Sequence, residues 1–142
     1  MYNIIWDSVY TVGEPTIDGH HKKLVTIINS LGKVAEESSS TVPDETFHIL
    51  LDELMKYVRT HFAYEEEVFS QTSYNKKDEH RDYHFSFVET LAEKCIDASS
   101  GYADRDQLHK FLVNWLKHHI LVEDMEYKKY LNQQVTKEES FG

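Results

Sequence analysis

The sequence predicts an all-α fold: an antiparallel up-down-up-down four-helix bundle with an irregular N-terminal arm. Two observations carry this. Apolar residues recur at three- and four-residue steps through four segments of roughly 20 residues, each about 30 Å long as a helix. The breaks between them are short, which favours antiparallel neighbours. No segment alternates in the manner of a strand, and no internal repeat is visible.

A chain of 142 residues fits one domain and is long enough to bury a core without disulfides. Residues 1–17 read as the arm, with Trp6, Val9, Val12 and Ile17 available to lie against the core, and Gly13 and Pro15 breaking regular structure. Asp18 is placed to cap a first helix running to about Ser38, with Leu24, Val25, Ile28 and Leu31 inward. The connector "ESSSTVPDE" follows, and Pro43 suits the first turn of the next helix. That helix runs to about Phe69, with Phe47, Leu50, Leu54, Tyr57 or Val58, and His61 on one face. After "SQTSYNKKD", a third helix from about Lys77 to Ser99 carries His80, His84, Phe87, Leu91 and Cys95 on one stripe. Gly101 marks the next break. The last helix spans about Arg105 to Leu131, with Leu108, Leu112, Trp115, His119 and Val122 inward. The domain is thus 1–131, and 132–142 is a polar tail or the start of a linker.

A net charge of −10 disfavours nucleic acid and anionic membrane surfaces as partners. No apolar stretch approaches transmembrane length, and "MYNIIWDSVYTVGEP" lacks the pattern of a secretory signal. The lone Cys95 cannot form an intrachain disulfide, which favours a cytoplasmic location.

Nine histidines are the unusual feature. His61 and Glu65 lie four apart, as do His80 and His84; Asp124 follows His119 by five. Side chains at i and i+4 project from one helix face. His21 shares a stripe with Leu24 and Ile28, so every helix sends at least one metal ligand inward. Any single pair is ordinarily a surface pair worth a few tenths of a kcal/mol, about 0.2–0.5. Together they are different. Buried polar groups without partners cost about 1–3 kcal/mol each, and five imidazoles with two carboxylates would exhaust the stability of one domain. A metal removes that penalty. Imidazole suits zinc, copper, iron and nickel, and seven ligands exceed one tetrahedral zinc. Two metals sharing carboxylates fit the set. Periodicity alone leaves His118 open beside His119, and the five-residue step to Asp124 is not a same-face spacing on an α-helix.

"WDSVYTVG" with "IDGHHKKL", then "HFAYE", "HRDYH" and "WLKHHILVED", resemble the hemerythrin family, closest to its bacterial members, over Trp6 to about Tyr130. The order H…HxxxE…HxxxH…HxxxxD carries the resemblance. It implies a non-haem di-iron site: His80, His84 and His119 on one iron, His21 and His61 on the other, and Glu65 and Asp124 bridging with an oxo or hydroxo group. It places His21 and His119, rather than their neighbours, as ligands. It implies an O2 pocket lined by Leu24, Phe62, Phe87, Trp115, Leu116 and Ile120, whose simpler reading is core. His20 stands where the family commonly has glutamine, and is expected either behind the ligands or exposed. Tyr57, Tyr64 and Tyr83 are candidates for the layer behind the ligands, with packing the simpler role. His48 and His109 fall outside the motifs. The expected function is reversible O2 binding as a carrier or store, not an enzyme. The alternative is an O2- or redox-sensing domain covalently linked to a signalling output domain.

Overall fold

In the computed structural model, which describes residues 3–36, 44–99 and 105–141, the chain is helical almost throughout. A short 3-10 turn, Ser8–Tyr10, precedes helix α1 (Pro15–Glu36). Helix α2 spans Asp44–Ser70 and α3 Lys77–Ser99. Helix α4 (Arg105–His118) widens into a π-helical turn, His119–Asp124, and continues as α5 (Met125–Phe141). No strand occurs among the described residues. α1 packs on α2 and α4, and α2 packs on α3. The expected helix end at Ser38, the placement of Pro43 and the break at Gly101 lie outside the described residues.

Local chemistry explains the start of α1, which is earlier than the sequence suggests. Pro15 occupies the first helical position, where its missing N–H is harmless. Glu14 caps the helix, its Oε2 accepting from Ile17 N at 2.7 Å. Asp18, the expected cap, sits inside the first turn. It accepts from Val12 N at 2.8 Å and Gly13 N at 3.2 Å, so it pins the arm rather than capping the helix. Gly13 supplies the bend with a φ of 105°. The arm is anchored by Ile4, Tyr10 and Val12, while Val9 faces solvent, contrary to the expected pattern. Asn29 clamps Ile4 through two backbone hydrogen bonds of 2.9 and 2.8 Å.

On α2 the buried stripe is Phe47, Leu51, Leu54, Val58, His61 and Glu65. Leu51 therefore replaces the expected Leu50, and Val58 rather than Tyr57 points inward. α3 buries His80, His84, Phe87 and Leu91, with Cys95 half-buried. On the last helix Val122 is 48% exposed, not inward. The π turn changes the phase of the helix at that point, so the stripe passes from His119 to Asp124. Beyond Leu131 the backbone stays helical to Phe141, since residues 105–141 contain no glycine or proline to stop it.

Two apolar clusters result. The larger fills most of the bundle, with Leu31, Phe47, Leu54, Leu91, Leu112 and Leu116 fully enclosed. The smaller joins Val12, Ile17, Phe69, Tyr74 and Tyr127. A polar layer lies between them.

Candidate metal centre

That polar layer is built from the seven side chains that spacing and the family resemblance together singled out. His21, His61, Glu65, His80, His84, His119 and Asp124 are each at most 2% exposed. They come from the early turns of α1 and α3, the later turns of α2, and the π turn after α4. Two donor groups form. One is His21, His61, Glu65, His119 and Asp124; the other is Glu65, His80, His84 and His119; within each, the donor atoms lie within 4.8 Å of one another.

The carboxylates face both ways. Glu65 Oε1 lies 2.5 Å from His61 Nε2 and 3.0 Å from His119 Nε2, while its Oε2 lies 3.3 Å from His80 Nε2. Asp124 Oδ2 lies 2.7 Å from His21 Nε2 and 3.1 Å from His119 Nε2, while its Oδ1 lies 2.9 Å from His80 Nε2. The five-residue step between His119 and Asp124 works because i→i+5 winding brings the two onto one face. On a regular α-helix Asp124 would be turned away.

These distances are short, and His119 Nε2 and Glu65 Oε1 have hydrogen-bond geometry, yet most of the other donor atoms do not pair. Among the described residues, both ring nitrogens of His21 and His84, Nε2 of His80, Oε2 of Glu65 and both oxygens of Asp124 have no hydrogen-bond partner. Lone pairs that converge without pairing are what a cation requires, and leaving them empty costs about 1–3 kcal/mol apiece. The donor set of imidazole and carboxylate suits a transition metal. The residues fit a metal centre.

The electrostatics agree. Burial alone would raise Glu65, but His61 and His119 hold it well below the usual carboxylate range. Burial and Glu65 likewise push Asp124 upward, and His119 and His21 outweigh them, so it too is lowered. Burial opposes charging of His80 and His119. Asp124 and Glu65 reverse that and raise them to about 9 and about 10. For His61 and His84 burial wins despite the nearby Glu65, lowering them to about 4 and about 2. Those two rings are neutral at physiological pH, the form a metal binds.

Apolar walls enclose the layer. Phe62 stacks on His84 at 3.7 Å between centroids, and Trp115 stacks on Phe87 at the same distance while lying 5.4 Å from His119. Leu24, Leu116 and Ile120 are buried in the same apolar cluster. On the other side Phe69 meets His80 at 4.8 Å.

The adjacent pairs resolve cleanly. His21 is inside, and His118 is 52% exposed beside Glu123. His20, however, touches the layer: its Nδ1 lies 3.1 Å from His61 Nδ1. Burial and the nearby His21 lower its pKa. Of the two places expected for His20, behind the ligands or exposed, the structure has the first. Tyr57 and Tyr64 pack edge-on against His20, and Tyr83 lies parallel to His119 at 6.1 Å. His109 is buried far from the layer, against Gly32, and His48 is half-buried outside it.

Fold and site together define a helical-bundle metalloprotein. Residues 12–131 match the model of the hemerythrin HHE cation-binding domain, and the chain belongs to the hemerythrin family. It is 27% identical to a bacteriohemerythrin of Stenotrophomonas maltophilia over 146 aligned positions, covering 100% of this chain and 93% of that protein. It is 28% identical to a bacteriohemerythrin of Pseudomonas aeruginosa over 127 residues, 89% of this chain and 80% of the relative. It is 32% identical to a hemerythrin-like protein of Naegleria gruberi over 126 residues, 89% of this chain and 92% of the relative. No helix among the described residues is long and apolar enough to cross a membrane.

Proposed function

We propose that the layer holds a pair of iron ions and that the protein binds O2 reversibly, as a carrier or store. The observation that carries this reading is that both carboxylates face two ways: Glu65 lies in both donor groups, and Asp124, a member of the first, also sets its Oδ1 against His80 Nε2 of the second. One oxygen of each faces the His21 and His61 side, and the other faces His80. In this reading Glu65 and Asp124 bridge, together with an oxo or hydroxo group. His21 and His61 hold one iron, leaving it an open position, and His80, His84 and His119 hold the other. His119 lies in both donor groups, and its assignment to the His80 iron follows the family resemblance.

When bound, the di-iron centre supplies the redox chemistry of O2 uptake and release. The chain supplies the conditions. Five imidazoles against two carboxylates give the centre little anionic stabilisation, which disfavours high-valent iron and substrate oxidation. Phe62, Phe87, Trp115, Leu24, Leu116 and Ile120 keep water and protons out, and a dry pocket is what keeps O2 binding reversible.

Iron analysis with an optical O2 titration of the reduced protein tests this. A pair of irons per chain is expected, with a charge-transfer band that appears with O2 and fades on degassing. A single zinc per chain, or no reversible spectrum from iron-loaded protein, would overturn it.

A further inference from the structure

His20 lies immediately behind His61. The two Nδ1 atoms are 3.1 Å apart. Two imidazole nitrogens at that distance share one proton: two N–H groups would collide, and two bare lone pairs would repel. The His20 ring is held in place by neighbours. Tyr57, Tyr64 and His61 all meet it edge-on, at 5.7, 5.2 and 5.2 Å between centroids. On its other side, His61 presents Nε2 to the polar layer, 2.5 Å from Glu65 Oε1 and 3.2 Å from His119 Nε2.

We propose that His20 is the positioning residue of His61, its bare Nδ1 accepting the His61 Nδ1–H and leaving His61 Nε2 bare for the metal. The inference rests on the metal-centre reading. A metal binds only an unprotonated nitrogen. The single proton between the rings must therefore sit on His61, and His20 must carry its own proton on Nε2. The bond sets the tautomer of His61, fixes its ring orientation and raises its basicity as a ligand. The contrast with the other ligands is sharp. Among the described residues, Nδ1 of His21, His84 and His119 has no hydrogen-bond partner. Of these four, His61 is the one whose Nδ1 meets a side chain, and the effect of removing His20 should fall on it. A glutamine at this position can accept through its amide oxygen; an aliphatic residue cannot.

The test uses the full chain loaded with zinc(II), a diamagnetic probe. Long-range proton–nitrogen correlation spectra of the unaltered protein should show His61 protonated at Nδ1 and His20 at Nε2. Competition with a chromophoric chelator should show His20→Leu binding zinc about 10-fold more weakly or worse, and His20→Gln staying within about threefold of the parent. His20 protonated at Nδ1 in the loaded protein would overturn the proposal without relying on any variant. So would His20→Leu matching the parent, or His20→Gln falling as far as His20→Leu. Failure of the unaltered protein to bind metal would overturn the metal-centre reading and this proposal with it. Normal loading with an unaffected His20→Leu would overturn the role of His20 alone.

Discussion

The two halves of the bundle are made from the same helices and hold together by different means. Away from the site, Leu31, Phe47, Leu51, Leu91, Leu108 and Leu112 bury apolar surface, with His109 the buried histidine among them. At the site end, seven ionisable side chains lie between two apolar clusters, with lone pairs that no described group satisfies. The first half is held by apolar burial. The second has the donor set of a metal centre. The same substitution should therefore behave differently in the two halves, and metal should separate them.

The largest difference is expected from the metal itself. Metal in excess by a thousandfold over its dissociation constant stabilises the folded state by about 4 kcal/mol. Chelation should lower the melting temperature accordingly. Glu65→Ala should lower metal content and melting temperature together, because a shared ligand is lost. Leu91→Ala, on the same bundle but at a wholly apolar and enclosed position, should cost about 2–5 kcal/mol through its cavity and leave the metal content unchanged. Calorimetry and metal analysis on both variants check this. Full metal content in Glu65→Ala would show that Glu65 is not shared.

The comparison also explains what the sequence made legible. Helices and spacings on α2 and α3 follow the regular α period, so His61 with Glu65, and His80 with His84, could each be put on one helix face from their numbers, and the joint pattern of the helices turned those faces inward. The step from His119 to Asp124 could not, because i→i+5 winding is a local departure from that period. The misplacement of Val122 has the same cause. The cap of α1 was hidden because Asp18 has the chemistry of a cap but serves the arm, while Glu14 does the capping. A place for His20 behind the ligands was one of its two readings, but its pairing with His61 depends on how α1 and α2 face each other, which spacing along one helix does not carry.

Protons provide the next contrast, in the metal-free protein. His80 and His119 are raised to about 9 and about 10 from 6.5. Their pairing with Glu65 and Asp124 stabilises the fold fully below pH 6.5 and is lost as pH rises through those values. Glu65 and Asp124 are depressed, so their contribution is present above the ordinary carboxylate range and is lost as pH falls through their folded values. His61 and His84 are also lowered, so below pH 6.5 the unfolded chain takes up protons that the folded one refuses. Urea midpoints of metal-free protein should fall on both sides of neutrality. Metal loading should abolish the alkaline fall, because the imidazoles are then deprotonated in both states. An alkaline fall that persists after loading would mean His80 and His119 are not held by the metal.

A smaller effect is expected in the apolar half, at Gly32. A Cβ there would overlap the buried ring of His109. Gly32→Ala gains about 1 kcal/mol of helix preference but incurs about 1–3 kcal/mol of overpacking. A net loss of about 1 kcal/mol is expected, with metal content unchanged. In a His109→Ala background the same change should turn neutral or stabilising, since the clash is gone. Equal losses in both backgrounds would show that the ring is not the obstacle.

The smallest effect lies at the junction of the two halves with the arm. Glu14 caps α1 through Ile17 N and also accepts from the Tyr64 hydroxyl at 3.3 Å. Tyr64 in turn packs on His20, so one carboxylate tethers the start of α1 to the ring behind His61. Glu14→Ala should cost about 1 kcal/mol, the ordinary worth of a cap. If the tether matters to the site, it should also weaken zinc binding slightly, whereas Glu14→Gln, which keeps an acceptor oxygen, should do neither. Asp18→Ala serves as the control, because it frees the arm at Val12 and Gly13 without touching Tyr64. Matching zinc affinities for Glu14→Ala and Asp18→Ala would place Glu14 with the scaffold and leave His20 held by its tyrosine neighbours alone.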